Sequence, residues 1–128
     1  MTLKAEIKNF TELELRCKCG CKLFNMSNQH LVNLQALRYR YGLKLTVTSG
    51  CRCMKHNASV GGVPSSRHQA STKEADATDL TCNDLPALFH VAKNIGLFKE
   101  VIWYKKSNFI HVATFPDKPG VYFGEVDK

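Results

Sequence analysis

The chain has 128 residues, 44% hydrophobic and 23% charged, which is enough for one core and is not the composition of a disordered segment. Its formal charge of +7 suits a polyanionic neighbour (nucleic acid, an anionic membrane or an acidic wall polymer) or serves only solubility. The basic residues are scattered and fall in no nucleic-acid motif, and no segment approaches transmembrane length.

Residues 1–10 mix charges and have no apolar run, so no signal peptide is expected. Residues 10–15 open a short helix, with Thr11 as its cap and Glu14 closing a capping box. Next come Cys17, Cys19 and Cys21, with Gly20 permitting a turn; Cys51 and Cys53 repeat the spacing, and Cys82 stands alone. Zinc ribbons use Cys-x-x-Cys, so three fates stay open: a pairing between the two clusters, a second structural metal, or free buried thiols. Ser27 or Asn28 begins a longer helix whose Leu31, Leu34, Leu37 and Tyr41 recur at helical spacing and whose end is Gly42. His30, in its first turn, is expected on the surface.

Residues 43–48 alternate as a half-buried strand and lead into residues 48–79. That stretch is long, rich in Gly, Ser, Cys and His, and without a clear helical or strand period, which in a compact domain marks function or disorder. His56 and Asn57 are expected to hydrogen-bond loop backbone. Thr81 is the expected cap of the next helix, with Asp84 in its first turn, Leu85, Leu88, Phe89, Ala92 and Ile95 as its buried stripe, and Gly96 at its end. His90 falls off that stripe and is expected exposed. Residues 100–104 and 109–114 read as two strands joined by a hairpin turn at 105–108. Trp103 shares a face with Val101 and belongs to the core. His111 shares a face with Phe109 and Ala113, and residues 121–126 form an edge strand.

His68, Asp79 and His111 together make two imidazoles and one carboxylate, a set that leaves a fourth position on zinc open. Taken singly, His68 reads as a surface residue and His111 as a satisfied core histidine. Their flanking motifs change that. Ser49-Gly-x-Arg52-Cys-x-x-His56-Asn57, then Val60-Gly-Gly-Val-Pro-x-Ser-x-His68, then Ala77-x-Asp79, then His111-Val112, in this order, resemble the M15 peptidases. These are zinc D-Ala-D-Ala carboxypeptidases and L-Ala-D-Glu endopeptidases of peptidoglycan, and the likeness is greatest to their small phage-type branch. It runs from about Phe10 to Thr114 and includes the start Phe10-x-x-x-Glu14-Leu15 with its Cys-x-Cys-Gly knot.

The resemblance implies one α+β domain over residues 1–128: a small antiparallel sheet, two main helices on one side, and zinc at the open sheet face. It implies His68, Asp79 and His111 as ligands. It gives Arg52 the task of holding substrate or steadying charge on the attacked carbonyl; the plainer alternative is a salt bridge that ties down the loop. The chain also departs from the pattern. Asp79 lies eleven residues after His68, more than the family uses, so residues 69–73 contain an insertion and Asp76 becomes a rival ligand. Asp79 is preferred because it shares a strand face with Ala77. Family members often carry Tyr where Cys51 stands. The family's carboxylate base sits three residues before the last His or two after it, and here those positions hold Asn108 and Ala113. Asp76 is then the first candidate for the base, swinging in from the insertion, and Asp117 and Glu100 are weaker ones.

The function expected is zinc-dependent hydrolysis of an amide bond in peptidoglycan stem peptides, by a monomer that neither binds nucleic acid nor inserts into membrane. It would be made in the cytoplasm and reach the wall after release or as part of a virion. One alternative is a non-catalytic, zinc-stabilised wall-binding module, comparable to the hedgehog signalling domain that is similar to this family. Another is a basic nucleic-acid-binding protein with cysteine-bound metal.

Overall fold

The computed structural model describes residues 7–128. Residues 1–6, most of the charge-mixed start, lie outside the described residues. The elements are α1 (Glu12–Leu15), α2 (Asn28–Tyr41), β1 (Thr46–Ser49), α3 (Met54–Ser59), β2 (Ala77–Thr81), α4 (Leu85–Asn94), β3 (Glu100–Tyr104), β4 (Phe109–Ala113) and β5 (Tyr122–Val126). The fold is α+β, with a five-stranded sheet in the order β1-β2-β4-β3-β5. The first four strands pair antiparallel, and β5 joins the outer edge parallel to β3. No helix among the described residues is long and apolar enough to cross a membrane.

Local chemistry accounts for the element ends. Thr11 and Glu14 form the reciprocal capping box of α1. Ser27 accepts from the His30 N–H at the start of α2, and Gly42 ends that helix in the left-handed region at φ 86°. At α4 the expected cap is corrected: Asp84, not Thr81, accepts the N–H of Ala87. Strand β2 runs on through Thr81, whose hydroxyl donates to the Asn108 carbonyl, and Pro86 then falls in the first turn, where its missing N–H costs nothing. Inside the stretch without visible period, Cys53 caps the short helix α3.

One sheet face receives α2 and α4. Leu31, Leu34 and Leu37 of α2 and Leu88 and Phe89 of α4 bury against Leu80, Val101, Ile110 and Val112. Each fully buried leucine is worth about 1.5–3 kcal/mol over exposure. Trp103 packs at the margin of this core, 5.5 Å from the Phe89 ring. His90 is exposed as expected, but His30 is not: it is fully buried. Its Nδ1 lies 2.6 Å from Thr114 Oγ1 and its Nε2 2.9 Å from Thr78 Oγ1, while Asn33 donates to the same Thr114 hydroxyl. His30 stands four residues before Leu34 and seven before Leu37, so it continues the apolar stripe one turn further back. The network joins α2 to β2 directly behind the opposite sheet face.

Candidate metal centre

That opposite face carries the side chains the helices leave uncovered. On β2, Asp79 alternates with the buried Thr78 and Leu80 and so points away from the helical layer; His111 does the same on β4. The register sets Asp79 directly across from His111. His68 arrives from the long loop. A bulge after Val47 brings Ser49 beside Asp79, and the chain then turns through Gly50, whose carbonyl accepts from His68 Nδ1 at 2.7 Å. Gly50 is required there: a Cβ would lie 2.7 Å from the Leu15 carbonyl carbon, which is backbone and cannot yield.

The three side chains meet closely. Asp79 Oδ1 is 3.2 Å from His68 Nε2 and 3.0 Å from His111 Nδ1, and the two nitrogens are 3.3 Å apart. A tetrahedral ion with bonds of about 2.0–2.1 Å holds its ligands about 3.3 Å apart, so this triangle fits one ion and leaves a fourth position. The tautomers suit it too. His68 spends Nδ1–H on the Gly50 carbonyl, and His111 Nε2 lies 3.2 Å from Glu100 Oε1, so in each ring the other nitrogen is the one aimed at the shared point.

Without an ion, charge fills the same space. Burial alone would push the Asp79 carboxyl up, but the two imidazoles hold it well below the usual carboxylate range. Burial likewise disfavours the His111 imidazolium, yet hydrogen bonds to Asp79 and Glu100 outweigh it and push its pKa up to about 9. The Glu100 carboxyl is lowered, chiefly by His111. Arg52 stands at the rim, held by Ser49 Oγ at 3.2 Å and Asn57 Oδ1 at 3.3 Å, with Nη2 3.7 Å from Asp79 Oδ2. It both braces the loop and presents a cation to a cleft of about 420 Å³ lined by His68, Asp79, His111, Ser66 and Tyr104. Asn57 also donates to the Val63 carbonyl, as expected for a loop-bracing residue.

A family profile described as Peptidase M15 matches residues 8–113. The chain belongs to the M15 peptidases. No curated protein matches it. As an M15 metallopeptidase domain, it holds in His68, Asp79 and His111 a group able to take the metal.

For the proton acceptor of this M15 chain the sequence offers Asp76 first, and the geometry speaks against it. Asp76 takes a two-pronged hydrogen bond from Arg67, at 2.7 and 2.6 Å, and a further one from the Phe115 N–H. Both of its oxygens are engaged at the start of β2, and it does not line the cleft. Asp117 is exposed and also absent from the lining. Glu100 comes nearest, but its oxygens face His111 and, at 3.8 Å, Lys118. Asp79 is thus the single acidic side chain lining the cleft among the described residues. Sequence reasoning passed over Gly50 and undervalued Glu100. The alternation of β3 and β4 was the available signal for Glu100, since Ile102 pairs with His111 and Glu100 lies diagonal to it.

All six cysteines are free of disulfides. Cys51 is buried and donates to the Leu23 carbonyl, whereas Cys17, Cys19 and Cys21 gather around Cys53, away from the cleft.

Proposed function

We propose that this M15 domain hydrolyses an amide bond in peptidoglycan stem peptides, as a carboxypeptidase or endopeptidase of the phage-lysin kind, with zinc held by His68, Asp79 and His111. The observation that supports the reading is the triangle of three donors across β2, β4 and the loop, at the floor of an open cleft. Zinc, when bound, supplies a Lewis acid and lowers the pKa of water toward neutrality. The chain's own residues orient the donors and steady charge. Gly50 and Glu100 orient the two imidazoles, and Arg52 steadies Asp79 while facing the place where a carbonyl gathers negative charge. The cleft suits a short extended peptide, and a formal charge of +7 favours an anionic wall. The protein acts there as a monomer, after release or carried by a virion.

The test is to incubate zinc-loaded protein with purified peptidoglycan and a synthetic stem pentapeptide and to follow products by mass spectrometry. Release of D-Ala or a split stem peptide, lost in His68→Ala, is expected. No cleavage across the pH range ends the proposal. A second reading, a zinc-stabilised wall-binding module without turnover, draws on the lack of a free carboxylate in the cleft among the described residues. Tight retention of wall fragments that stay intact would favour it.

A further inference from the structure

The cysteine knot takes no part in the cleft chemistry, yet its geometry is that of a ligand set. Cys17, Cys19 and Cys21 lie on the loop after α1, and Cys53 caps α3; their four sulfurs all fall within 4.8 Å of one another. Cys19 Sγ is 3.5 Å from Cys17 Sγ and 3.6 Å from Cys53 Sγ. A disulfide needs about 2.05 Å. A tetrahedral ion with Zn–S bonds of about 2.3 Å sets its sulfurs about 3.8 Å apart, close to what is seen. Backbone donors supply a second observation. The Cys53 N–H donates to Cys17 Sγ at 3.3 Å, the Leu23 N–H to Cys21 Sγ at 3.5 Å and the His56 N–H to Cys53 Sγ at 3.3 Å. Three of the four sulfurs therefore accept an N–H, which favours thiolate over thiol and is the outer support that metal-bound sulfur uses.

We propose that Cys17, Cys19, Cys21 and Cys53 form a second, structural site for one zinc-class divalent ion, separate from the cleft. Ligands spaced by a single residue require the chain to double back, and Gly20 at φ 95° and Lys22 at φ 63° provide that. Binding displaces the thiol protons, and four thiolates around a divalent cation leave a charge of −2. Arg16, Lys18 and Lys22 stand next to the ligands in the sequence and put positive charge on the same loop. Four protein sulfurs close the coordination, so the ion fastens chain and opens no position to substrate. What it fastens is specific. Cys53 follows Arg52, whose N–H donates to the His68 carbonyl at 2.7 Å and whose carbonyl accepts from Ala70 at 2.7 Å. The ion pins the segment carrying Arg52 and His68 to the end of α1.

The test is a Co²⁺ titration of the full chain under reducing conditions, because a thiolate-to-cobalt charge-transfer band reports sulfur ligation and a histidine–carboxylate site gives none. The band is expected to saturate at one equivalent in His68→Ala/His111→Ala, to reach the same final intensity by two equivalents in the wild type, where the cleft also takes up cobalt, and to collapse when zinc displaces cobalt. It should vanish in Cys19→Ser/Cys21→Ser, which changes two exposed positions, while that variant still takes up one ion at the cleft. No charge-transfer band in the wild type overturns the proposal. So does a Cys19–Cys53 disulfide, seen as the loss of two hydrogens by mass spectrometry, that persists in metal-loaded protein.

Discussion

Glu100→Gln separates two roles for the acid that faces His111 Nε2. The carboxylate stands 3.2 Å from His111 Nε2 and, with Asp79, sustains the His111 pKa of about 9. In metal-free protein at pH 7, a pKa two units higher leaves about one His111 ring in 100 free of its proton, which lowers the apparent metal affinity about 100-fold, so that affinity climbs with pH until about 9. Replacing Glu100 has two consequences. The ring loses its orienting acceptor, which for such outer partners costs about 10–100-fold in metal affinity, or about 1.4–2.7 kcal/mol. The ring also holds its proton less tightly, which returns part of that loss at neutral pH. The variant's deficit should therefore be small near pH 7 and grow toward its full size above pH 9, as His111 loses its proton in both proteins. Zinc competition against a chromophoric chelator, run from pH 6.5 to about 9.5, reads this directly. Unchanged affinity at every pH, together with loss of kcat at saturating zinc, would refute the reasoning and make Glu100 the proton acceptor.

Three further outcomes are expected. Burial pushes the His30 pKa down to about 3, so the folded state keeps this ring neutral while the unfolded chain protonates it below about 6.5. Stability then falls by up to about 1.4 kcal/mol per pH unit between those values, and urea melts of His30→Gln should lack that slope although the variant is weaker at pH 7. Arg67→Met strands the buried Asp76 carboxylate and should cost about 3–5 kcal/mol, whereas Asp76→Asn should weaken the fold and leave kcat of the folded protein unchanged. A kcat loss in Asp76→Asn would instead assign it to proton transfer. Gly50→Ala drives a methyl into the Leu15 carbonyl and should cost about 1–3 kcal/mol while also weakening metal binding through His68. A variant as stable as the parent in thermal melts would contradict the close approach.

The parts of the fold that could be read in advance are those where local chemistry decides: the capping box at Thr11 and Glu14, the leucine stripe of α2, and the hairpin of β3 and β4. Asp84 was misjudged because whether a strand ends at Leu80 or at Thr81 depends on its partner, here the Asn108 carbonyl, and not on propensity. Helix α3 escaped notice because six residues carry too little periodicity to stand out. His30 was legible as a member of the stripe, but its type suggested solvent; only Thr78 and Thr114, far along the chain, make its burial affordable. At the site, alternation along β2 puts Asp79 and Ala77 on one face, whereas the register that sets Asp79 opposite His111 belongs to the folded sheet. Asp76 illustrates the same boundary. Its carboxylate is plain in the sequence, and its engagement with Arg67 is not.

The donors at the cleft come from a loop and from two strands that the chain joins only through α4 and β3. The β3–β4 turn can form quickly from neighbouring residues, but by itself it offers one imidazole. Chelation needs β2 docked and the residues around His68 settled, and we expect it to be completed after the rate-limiting barrier to folding. Metal should accordingly leave the refolding rate almost untouched and slow unfolding, so that the loaded protein outlives the empty one mainly by opening less often.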